Sequence, residues 1–449
     1  MLKPRPPRLL IPGEIRAGGR LASFMARLAV ARGPVFTLVS GSGQRADRDI
    51  VYLVGPEANR FVLFTHRELF SHELGWTPIF GDYLGSGLAN MDGPEHQRDR
   101  ALMNPAFATS FMDRYLPLMH QVISERTRDW AERGEVDLAM EAREIAFDVA
   151  ATALIGMQTG SEVDSLREHF YALLRGPEPL PDNAEHVNSG EAQAELNVRL
   201  LELIAARRKA ASGDPPENVL DMLIRAHSGQ TNGLSDKQIL GHVNILLVAG
   251  HETTTNLSAW LLYFLAAYPE YGARVDDELG ALPGGSEAPI TSETIRRLPV
   301  LTNAILETGR LQPPVMFLPR GVLTEFEFGG YTIPAGSRLL VAIAAGHRLP
   351  SIFENPDAFD PDRFLPPREE HKRHPYSIAT FGGGPRTCIG ANFAEMEVKA
   401  LVAHVRRRYR LTPVPGREIT QAIETIMQCL PEGIRVRVDS PAGTRNNLS

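Results

Sequence analysis

The sequence predicts a mainly helical protein with small β-sheets, which is a fold of the α+β class. Three observations predict it. Helical periodicity dominates the chain from about residue 116 onwards, short β-rich runs bounded by turn residues lie near both ends, and 43% of the 449 residues are hydrophobic. This supply of apolar residues is large enough for an extensive buried core on which long helices pack.

The composition excludes several functional classes. The formal net charge of -7 disfavours a nucleic-acid-binding protein, because such domains are usually basic. Two cysteines about forty residues apart give no disulfide framework, so we expect a reducing cytoplasm. No signal sequence follows the N-terminal prolines, and no stretch approaches the ~20 apolar residues that span a bilayer. We therefore expect a soluble, cytoplasmic protein. We also expect it to be a monomer.

The N-terminal part, about residues 30–70, is β-rich. Residues 35–39 and 50–54 are β-rich runs on either side of a Gly/Ser/Asp-rich turn and predict a hairpin. The turn contains a G-x-G-x-x-A pattern at 41–46, but a dinucleotide site would need a helix there, and a second strand follows instead. Residues 70–90 are rich in glycine and aromatics and predict a long loop.

Helices are predicted over residues 116–154, 163–174 and 191–211. The proline-rich connection 176–190 between the last two suits a mobile lid over a binding site, or an ordinary helix–helix turn. A longer helix is predicted at 235–268, and one more begins near residue 300. The last part of the chain predicts a small antiparallel sheet at 326–336, a helix after residue 390, a strand at 434–438 and a disordered tail at 441–449.

The most informative stretch is the glycine-rich loop at residues 381–390, which contains Cys388. Arg386 lies two residues before the cysteine, and an apolar helix-forming run follows it. Loop N–H groups and the positive end of the following helix would stabilise a thiolate, as a metal ligand requires. Taken singly, the cysteine could equally be a small buried hydrophobe and the glycines a turn.

A second pattern lies on the predicted helix 235–268. Ala249, Glu252 and Thr253 share a face that is otherwise apolar, and Gly250 removes bulk beside them. Thr253 could hydrogen-bond back to a carbonyl and open the helix locally for a small ligand. The alternative is a core helix that contains a salt-bridged glutamate.

Weaker patterns occur elsewhere. His96 and Arg100 share a helix face and could hold an acidic ligand, or could be a solvated surface. Glu307 and Arg310 are spaced as a helical ion pair. The charged run 369–374 contains His-x-x-His, but without a second pair of ligands it predicts a solvated loop.

Together these patterns resemble the cytochrome P-450 (heme-thiolate) family in its soluble bacterial form. The Phe-x-x-Gly-x-Arg-x-Cys-x-Gly pattern at 381–390 resembles the family's heme-binding loop, and the sequence AGHETT at 249–254 resembles its oxygen-activation motif. His-x-x-x-Arg before Asn-Pro-x-Phe, and Glu-x-x-Arg before Pro-x-Arg-Phe, are similar to two further signatures. These motifs occur in the family's order over residues 91–390, so we expect one domain covering residues 1–449.

The resemblance implies heme b as cofactor and assigns roles to individual residues. Cys388 would bind the iron, and Glu252 and Thr253 would relay protons during oxygen activation. The implied cofactor-binding residues are Cys388, His96, Arg100, Arg320, Arg386, Phe381, Gly382, Ala249 and Gly250. A buried charge network would comprise Glu307, Arg310 and Arg363. The implied substrate pocket comprises Ile245, Val248, Ala249, Val315, Met316, Phe317 and Met427.

Two residues stand apart from these assignments, and a third has an alternative interpretation. Gly309 departs from the family pattern, which usually has a larger apolar residue there, and we expect it to weaken its helix locally. Cys429 has no basic or glycine neighbours and predicts a structural or pocket-lining role. For Arg320, a surface arginine is the alternative to a propionate ligand.

The implied activity is insertion of one oxygen atom of O2 into a C–H or C=C bond of an apolar small molecule. A terpenoid, steroid, fatty acid or polyketide would fit, with electrons from a ferredoxin or flavodoxin and an NAD(P)H-dependent reductase. Alternatives are a heme-thiolate isomerase or dehydratase, and a peroxygenase, none of which needs external electrons. A thiol-nucleophile hydrolase would instead need a histidine and an acid at Cys388 and would contain no heme.

Overall fold

The computed structural model describes residues 3–10, 18–39, 50–80, 85–175, 189–210, 215–228, 233–283, 290–416, 419, 421, 423–424, 426–428 and 431–440. Its α-helices are α1 Gly18–Arg32, α2 Pro56–Arg60, α3 Glu73–Phe80, α4 Gly93–Met103, α5 Thr109–Met112, α6 Tyr115–Thr127, α7 Trp130–Arg133, α8 Leu138–Val149, α9 Ser161–Arg175, α10 Ser189–Ala210, α11 Val219–Ser228, α12 Asp236–Ala267, α13 Pro269–Gly280, α14 Ser292–Ile295, α15 Pro299–Leu311, α16 Ile343–Gly346 and α17 Ala391–Arg408. Its strands are β1 Arg8–Leu10, β2 Val35–Val39, β3 Ile50–Leu53, β4 Phe70–Ser71, β5 Glu135–Asp137, β6 Phe317–Val322, β7 Phe326–Phe328, β8 Tyr331–Ile333, β9 Arg338–Ala342, β10 Arg410–Pro413, β11 Ile423–Glu424, β12 Met427–Gln428 and β13 Arg435–Asp439. π-Helical turns follow α2 and α8, at Phe61–Thr65 and Ala150–Leu154.

The largest sheet joins the N-terminal strands to residues 317–342. Its strand order is β1-β2-β3-β9-β6-β4, in which β2 and β3 form the predicted hairpin and β3 pairs parallel with β9. The predicted small sheet at 326–336 is confirmed as β7 paired with β8, and the last predicted strand as β13, between β10 and β5. The described fold is therefore mainly helical with small sheets, as the sequence predicts.

Helix α12 is the central element of the helical part. The hydroxyl of Ser235 caps its first turn in a reciprocal arrangement with Gln238, and the helix ends where Pro269 starts α13. It packs against α8, α15 and α17, and most of its side chains are buried. The predicted helix at 235–268 is thus confirmed, and its apolar surface accounts for much of the main core.

The predicted long loop at 70–90 is wrong for residues 73–80, which form α3. Trp76 and Ile79 on this helix pack against the core cluster around Phe36. Gly75 allows the contact, because a Cβ built on it would lie 2.7 Å from the Pro319 carbonyl. The helix forms through this tertiary packing, which outweighs the glycine content that predicted a loop.

The predicted continuous helix over 116–154 is also wrong, because strand β5 interrupts it. Gly134 ends α7 in the left-handed region, at φ +67°, and residues 135–137 then pair with β13. Asp137 caps the start of α8 by accepting hydrogen bonds from Ala139 N and Met140 N. The interruption lets α6 and α8 pack side by side.

Several predictions lie outside the described residues. These are the hairpin turn with its G-x-G-x-x-A pattern, the proline-rich connection after α9, Cys429 and the tail at 441–449. The helices on either side of the proline-rich connection, α9 and α10, pack against each other. Among the described helices, none is both long enough and apolar enough to cross a membrane.

The structure brings Glu307, Arg310 and Arg363 together in a fully buried ion network. Glu307 accepts from Arg310 through both carboxylate oxygens, at 2.7 and 2.8 Å, and from Arg363 Nε at 3.0 Å. Arg363 also donates to Glu370 at 2.7 Å. The prediction of a solvated loop at 369–374 is therefore wrong for Glu370, which is completely buried because it neutralises Arg363.

We predict that Glu307→Gln lowers the free energy of unfolding by about 3 to 5 kcal/mol, because it leaves a buried guanidinium without its counter-charge. Urea unfolding followed by tryptophan fluorescence measures the change. Arg297→Ala, in the exposed pair with Glu293, is the control and should cost less than about 1 kcal/mol. Similar losses in the two variants would contradict the prediction.

Candidate functional site

The loop that contains Cys388 is fixed by its own backbone. Cys388 N donates to the Phe381 carbonyl at 2.9 Å, which closes the loop. Gly382 and Gly384 adopt positive φ angles of +72° and +63°. A Cβ built on Gly384 would lie 2.3 Å from the Leu63 carbonyl oxygen, so only glycine lets the loop rest on the π-helical turn after α2.

The Cys388 thiol is free, and it is accessible although protein surrounds it. Burial raises the pKa of this thiol, while the Gly390 N–H and the nearby Arg100 guanidinium act in the opposite direction. The Gly390 N–H precedes the first turn of α17, whose positive end faces the loop. These groups would favour the thiolate once a cation approaches the sulfur.

Helix α15 holds the start of this loop. Ala379 N donates to His347 Nε2 at 3.0 Å, and His347 Nδ1 lies 3.3 Å from the Arg310 carbonyl. Thr380 Oγ1 donates to the Gly309 carbonyl at 3.1 Å. A Cβ on Gly309 would lie 2.9 Å from Thr380 Cγ2, so the glycine leaves room for the loop against α15. The departure at Gly309 thus has a packing reason that the sequence did not reveal.

Cationic side chains meet on one side of the cysteine loop. Arg320 is fully buried on β6 and donates to the Pro319 carbonyl at 2.7 Å, and burial together with Arg386 lowers its pKa to about 9. Arg386 donates to the Met91 carbonyl at 2.8 Å, and Arg100 donates to the Thr387 carbonyl at 2.6 Å. Backbone carbonyls satisfy these hydrogen bonds without neutralising the charge.

The charges of this cluster are not balanced. Arg100, Arg320 and Arg386 contribute three positive charges, and Asp92, 3.5 Å from Arg386 Nη2, contributes one negative charge, which leaves a net +2. Burial and the arginines lower the pKa of His96 to about 4, so it adds no charge at neutral pH. A ligand with two carboxylates would complete the cluster, and the propionates of heme fit this requirement.

Helix α12 presents an unusual stretch at residues 249–253. Thr253 Oγ1 donates to the Ala249 carbonyl at 2.7 Å, as the sequence predicted. Ala249 is exposed and Gly250 partly exposed, although the residues before and after them on this helix are largely buried. A ligand could therefore contact the helix backbone here without meeting a large side chain.

Glu252 lies beside Thr253 and is bound by an arginine of another helix. Arg143 Nη2 on α8 donates to Glu252 Oε1 at 3.0 Å, and the Arg143 guanidinium lies 3.9 Å from the ring centroid of Tyr171 on α9. His251 Nδ1 is 3.5 Å from the same Glu252 oxygen. An acid, a hydroxyl and a guanidinium therefore lie next to the exposed stretch of α12, and they could supply and orient protons.

Sequence reasoning missed Arg143 and His251. Arg143 lies between Glu141 and Glu144 in the sequence, so it has acidic neighbours on its own helix and the local pattern gives no sign of a partner on α12. His251 is completely buried against the rings of Phe147, Phe170 and Tyr171. Burial and the nearby arginines lower its pKa far below the usual value, so its imidazole is neutral.

The residues predicted to line a pocket fall into two groups. Ile245 and Val248 lie on α12, and Ile245 packs against Gly87. The second group lies where β6 begins, and Val315 pairs there with Met427 in an isolated bridge. Phe317 and Met316 belong to the same apolar cluster, in which Met316 is completely enclosed. The structure therefore places Met316 in a packed core, while Val315 and Met427 are only partly buried.

Comparison with known proteins gives a consistent result. A family model described as Cytochrome P450 matches residues 4–436. Sterol 14alpha-demethylase of Mycolicibacterium vanbaalenii is 31% identical over 378 residues, which cover 82% of each chain. Putative cytochrome P450 136 of Mycobacterium tuberculosis is 30% identical over 406 residues, which cover 89% of this chain and 80% of the relative.

Solved structures agree with this match. The retinoic acid bound cyanobacterial CYP120A1 superposes with a TM-score of 0.82 at 27% identity, covering 98% of this chain and all of that one. The heme domain of cytochrome P450DA superposes with a TM-score of 0.83 and covers 98% of both chains. At 24% identity, the second likeness shows the fold alone.

We predict that the free energy of unfolding falls as the pH is lowered from about 6.5 towards 4, partly through His347. Burial, Arg310 and Arg348 lower the pKa of His347 to about 3. Below pH 6.5 the unfolded chain therefore binds a proton at this residue that the folded chain does not bind. This costs up to about 1.4 kcal/mol per pH unit. Urea unfolding at a series of pH values measures the slope.

His347→Gln should make this pH slope shallower, because glutamine can accept from Ala379 N but does not titrate. His66→Gln, which changes an exposed histidine, is the control and should leave the slope unchanged. An unaltered slope in the His347 variant would show that other groups cause the acid sensitivity.

Proposed function

The chain belongs to the cytochrome P450 family, whose members bind heme b through a cysteine thiolate, and we propose that Cys388 is that ligand here. As a family member, the protein is an oxidoreductase of the monooxygenase type. The observation that best supports this heme site is the net +2 cluster formed by Arg100, Arg320, Arg386 and Asp92 beside the cysteine loop. Its charge complements the two propionates of heme.

Each implied ligand has a physical reason to take part. The Gly390 N–H and Arg100 would stabilise the Cys388 thiolate, and the buried Arg320 would gain a counter-charge from a propionate. His96 would donate a hydrogen bond to a carboxylate. Heme, when bound, supplies oxygen binding and O–O cleavage, which electron density from the thiolate favours.

Residues of α12, on the side of the site opposite the cysteine loop, would deliver protons. Thr253 would donate its hydroxyl hydrogen bond to a ligand at the exposed stretch of α12 when it releases the Ala249 carbonyl. Glu252 would pass protons taken up from solvent on to Thr253. The hydrogen bond from Arg143 orients this carboxylate.

We propose an apolar small molecule as the substrate, such as a terpenoid, steroid, fatty acid or polyketide. The side chains of Ile245, Val248, Val315, Phe317 and Met427 are apolar and would favour such a compound through burial of its surface. One relative is named for demethylating a sterol, and another was solved with retinoic acid. Both ligands have large hydrocarbon frameworks.

Electrons would come from a ferredoxin or flavodoxin with its NAD(P)H-dependent reductase. Cofactor chemistry of this kind needs two electrons for each oxygen atom inserted, delivered from outside the heme site. A reducing cytoplasm is the compartment in which the free Cys388 thiol would persist until heme binds.

The reduced, carbon monoxide-treated protein should show the red-shifted Soret band of thiolate-ligated heme. Cys388→Ala should abolish this band, because no other residue of the loop offers a thiolate. Absorption difference spectra measure the result. Cys429→Ala, which removes the other cysteine, is the matched control and should keep the band. A band that survives in Cys388→Ala would disprove the assignment of the ligand.

Thr253→Ala and Glu252→Gln should lower product formation about 10- to 100-fold while reductant consumption continues, because proton delivery fails and reduced oxygen escapes. A substrate for this assay comes from a panel of apolar compounds, screened for a shift of the heme Soret band. The ratio of product formed to NAD(P)H consumed measures the coupling of the reaction.

The control is Thr255→Ala, because Thr255 donates to the His251 carbonyl in the same way but is fully buried. This variant should keep the coupling ratio of the unaltered protein. Equal coupling in all three variants would contradict the proton-relay role. Turnover without any reductant would instead favour a heme-thiolate isomerase or dehydratase.

A further inference from the structure

His72 lies beside Arg320, although the two residues are far apart in the sequence. Strands β4 and β6 pair antiparallel with Ser71 opposite Gly321. His72 follows Ser71 directly, and Arg320 precedes Gly321, so the end of the pairing brings the two residues close together. Helix α3 then closes over this point, because a Cβ built on Gly75 would lie 2.8 Å from the Arg320 Cα. The imidazole is thereby confined next to a buried guanidinium.

Asp92 fixes the backbone that carries this imidazole. Its carboxylate accepts hydrogen bonds from His72 N at 2.9 Å and Glu73 N at 3.2 Å, and another from the Ser71 hydroxyl. The same carboxylate is 3.5 Å from Arg386 Nη2. Asp92 therefore links the start of α3 to the arginine of the cysteine loop.

Groups from three elements surround the His72 imidazole: two of them are guanidiniums, and the third is the imidazole of His96, which is neutral at neutral pH. Burial lowers its pKa most, and Arg320 on β6, Arg386 on the cysteine loop and His96 on α4 lower it further. The Ala89 carbonyl accepts a hydrogen bond from the ring. In neutral imidazole the second nitrogen then has no proton and is an acceptor, although the groups around it are donors.

We propose that His72 is a further cofactor-binding residue, whose second ring nitrogen donates a hydrogen bond to the heme propionate that Arg320 also binds, and that Asp92 is its positioning residue. The inference rests on the proposed function, because it concerns the heme that Cys388 would hold. The carboxylate offsets the repulsion from the arginines, so the imidazole takes up one proton from solvent as heme enters. Within His72 no other covalent bond changes.

The test compares heme-loaded variants at position 72 with matched variants at position 66. His66 is exposed, lies six residues earlier and stacks on Phe61, so His66→Ala and His66→Gln are the controls for His72→Ala and His72→Gln. Transfer of heme to excess apomyoglobin gives the release rate. Resonance Raman spectra of the same samples give the propionate bending modes.

His72→Ala should release heme about tenfold faster than the unaltered protein near pH 6, because a charge-assisted hydrogen bond is lost. Its propionate bending mode should shift. The difference in rate should shrink as the pH rises, because the imidazole of the unaltered protein then loses the donated proton. His72→Gln has a neutral amide donor, so its rate should be intermediate and independent of pH over this range.

Equal release rates from the position 72 and position 66 variants would overturn the proposal. Faster release with an unshifted propionate mode would also overturn it, because a purely structural role of His72 predicts that combination. The red-shifted carbon monoxide band should persist in every variant. Its absence from the unaltered protein would contradict the proposed function instead, so the two failures are distinguishable.

The positioning role of Asp92 has its own test. Asp92→Ala should reproduce the Raman shift of His72→Ala, because the start of α3 loses its acceptor. Asp92→Asn retains one acceptor oxygen and should recover most of the original spectrum. An unshifted propionate mode in Asp92→Ala would refute the positioning role.

Discussion

Most of this structure depends on the ion pairs that the Glu307 carboxylate forms with the buried guanidiniums of Arg310 and Arg363. They join α15 to the turn that carries Arg363, far along the chain, in an environment without water to replace a lost partner. From α15 the constraint continues through His347 to the backbone of Ala379, where the cysteine loop begins. The loop is thus positioned by a charged network that does not itself meet the ligand.

Uncompensated charge is the complementary constraint at the site. The arginines around the cysteine loop donate hydrogen bonds to backbone carbonyls. These carbonyls satisfy the N–H groups but do not neutralise the positive charge. This cluster of like charges lowers the free energy of unfolding of the protein without ligand, and it favours binding of a dianionic ligand. On α12, by contrast, the acid Glu252 is already paired with Arg143. The two faces of the site therefore differ in whether their charges are balanced before the ligand arrives.

The sequence predicted what local patterns encode. Helix α12, the β2–β3 hairpin and the helix after the cysteine loop follow from periodicity, capping and turn residues. Helix α3 and strand β5 were missed, because tertiary packing and pairing with β13 stabilise them against local preference. Side-chain partners such as Arg143 or Glu370 could not be predicted, because a single charged residue in a pattern does not reveal what meets it after folding.

The pairing of β3 with β9 has a consequence for how the protein is made. Residues 50–53 find their parallel partner only in residues 338–341, so during synthesis the N-terminal hairpin has an unpaired edge while most of the chain is still unmade. Contacts of such large sequence separation form slowly. Residues 381–390 are synthesised after residue 341, so the cysteine loop leaves the ribosome only after both strands of this pair have been made.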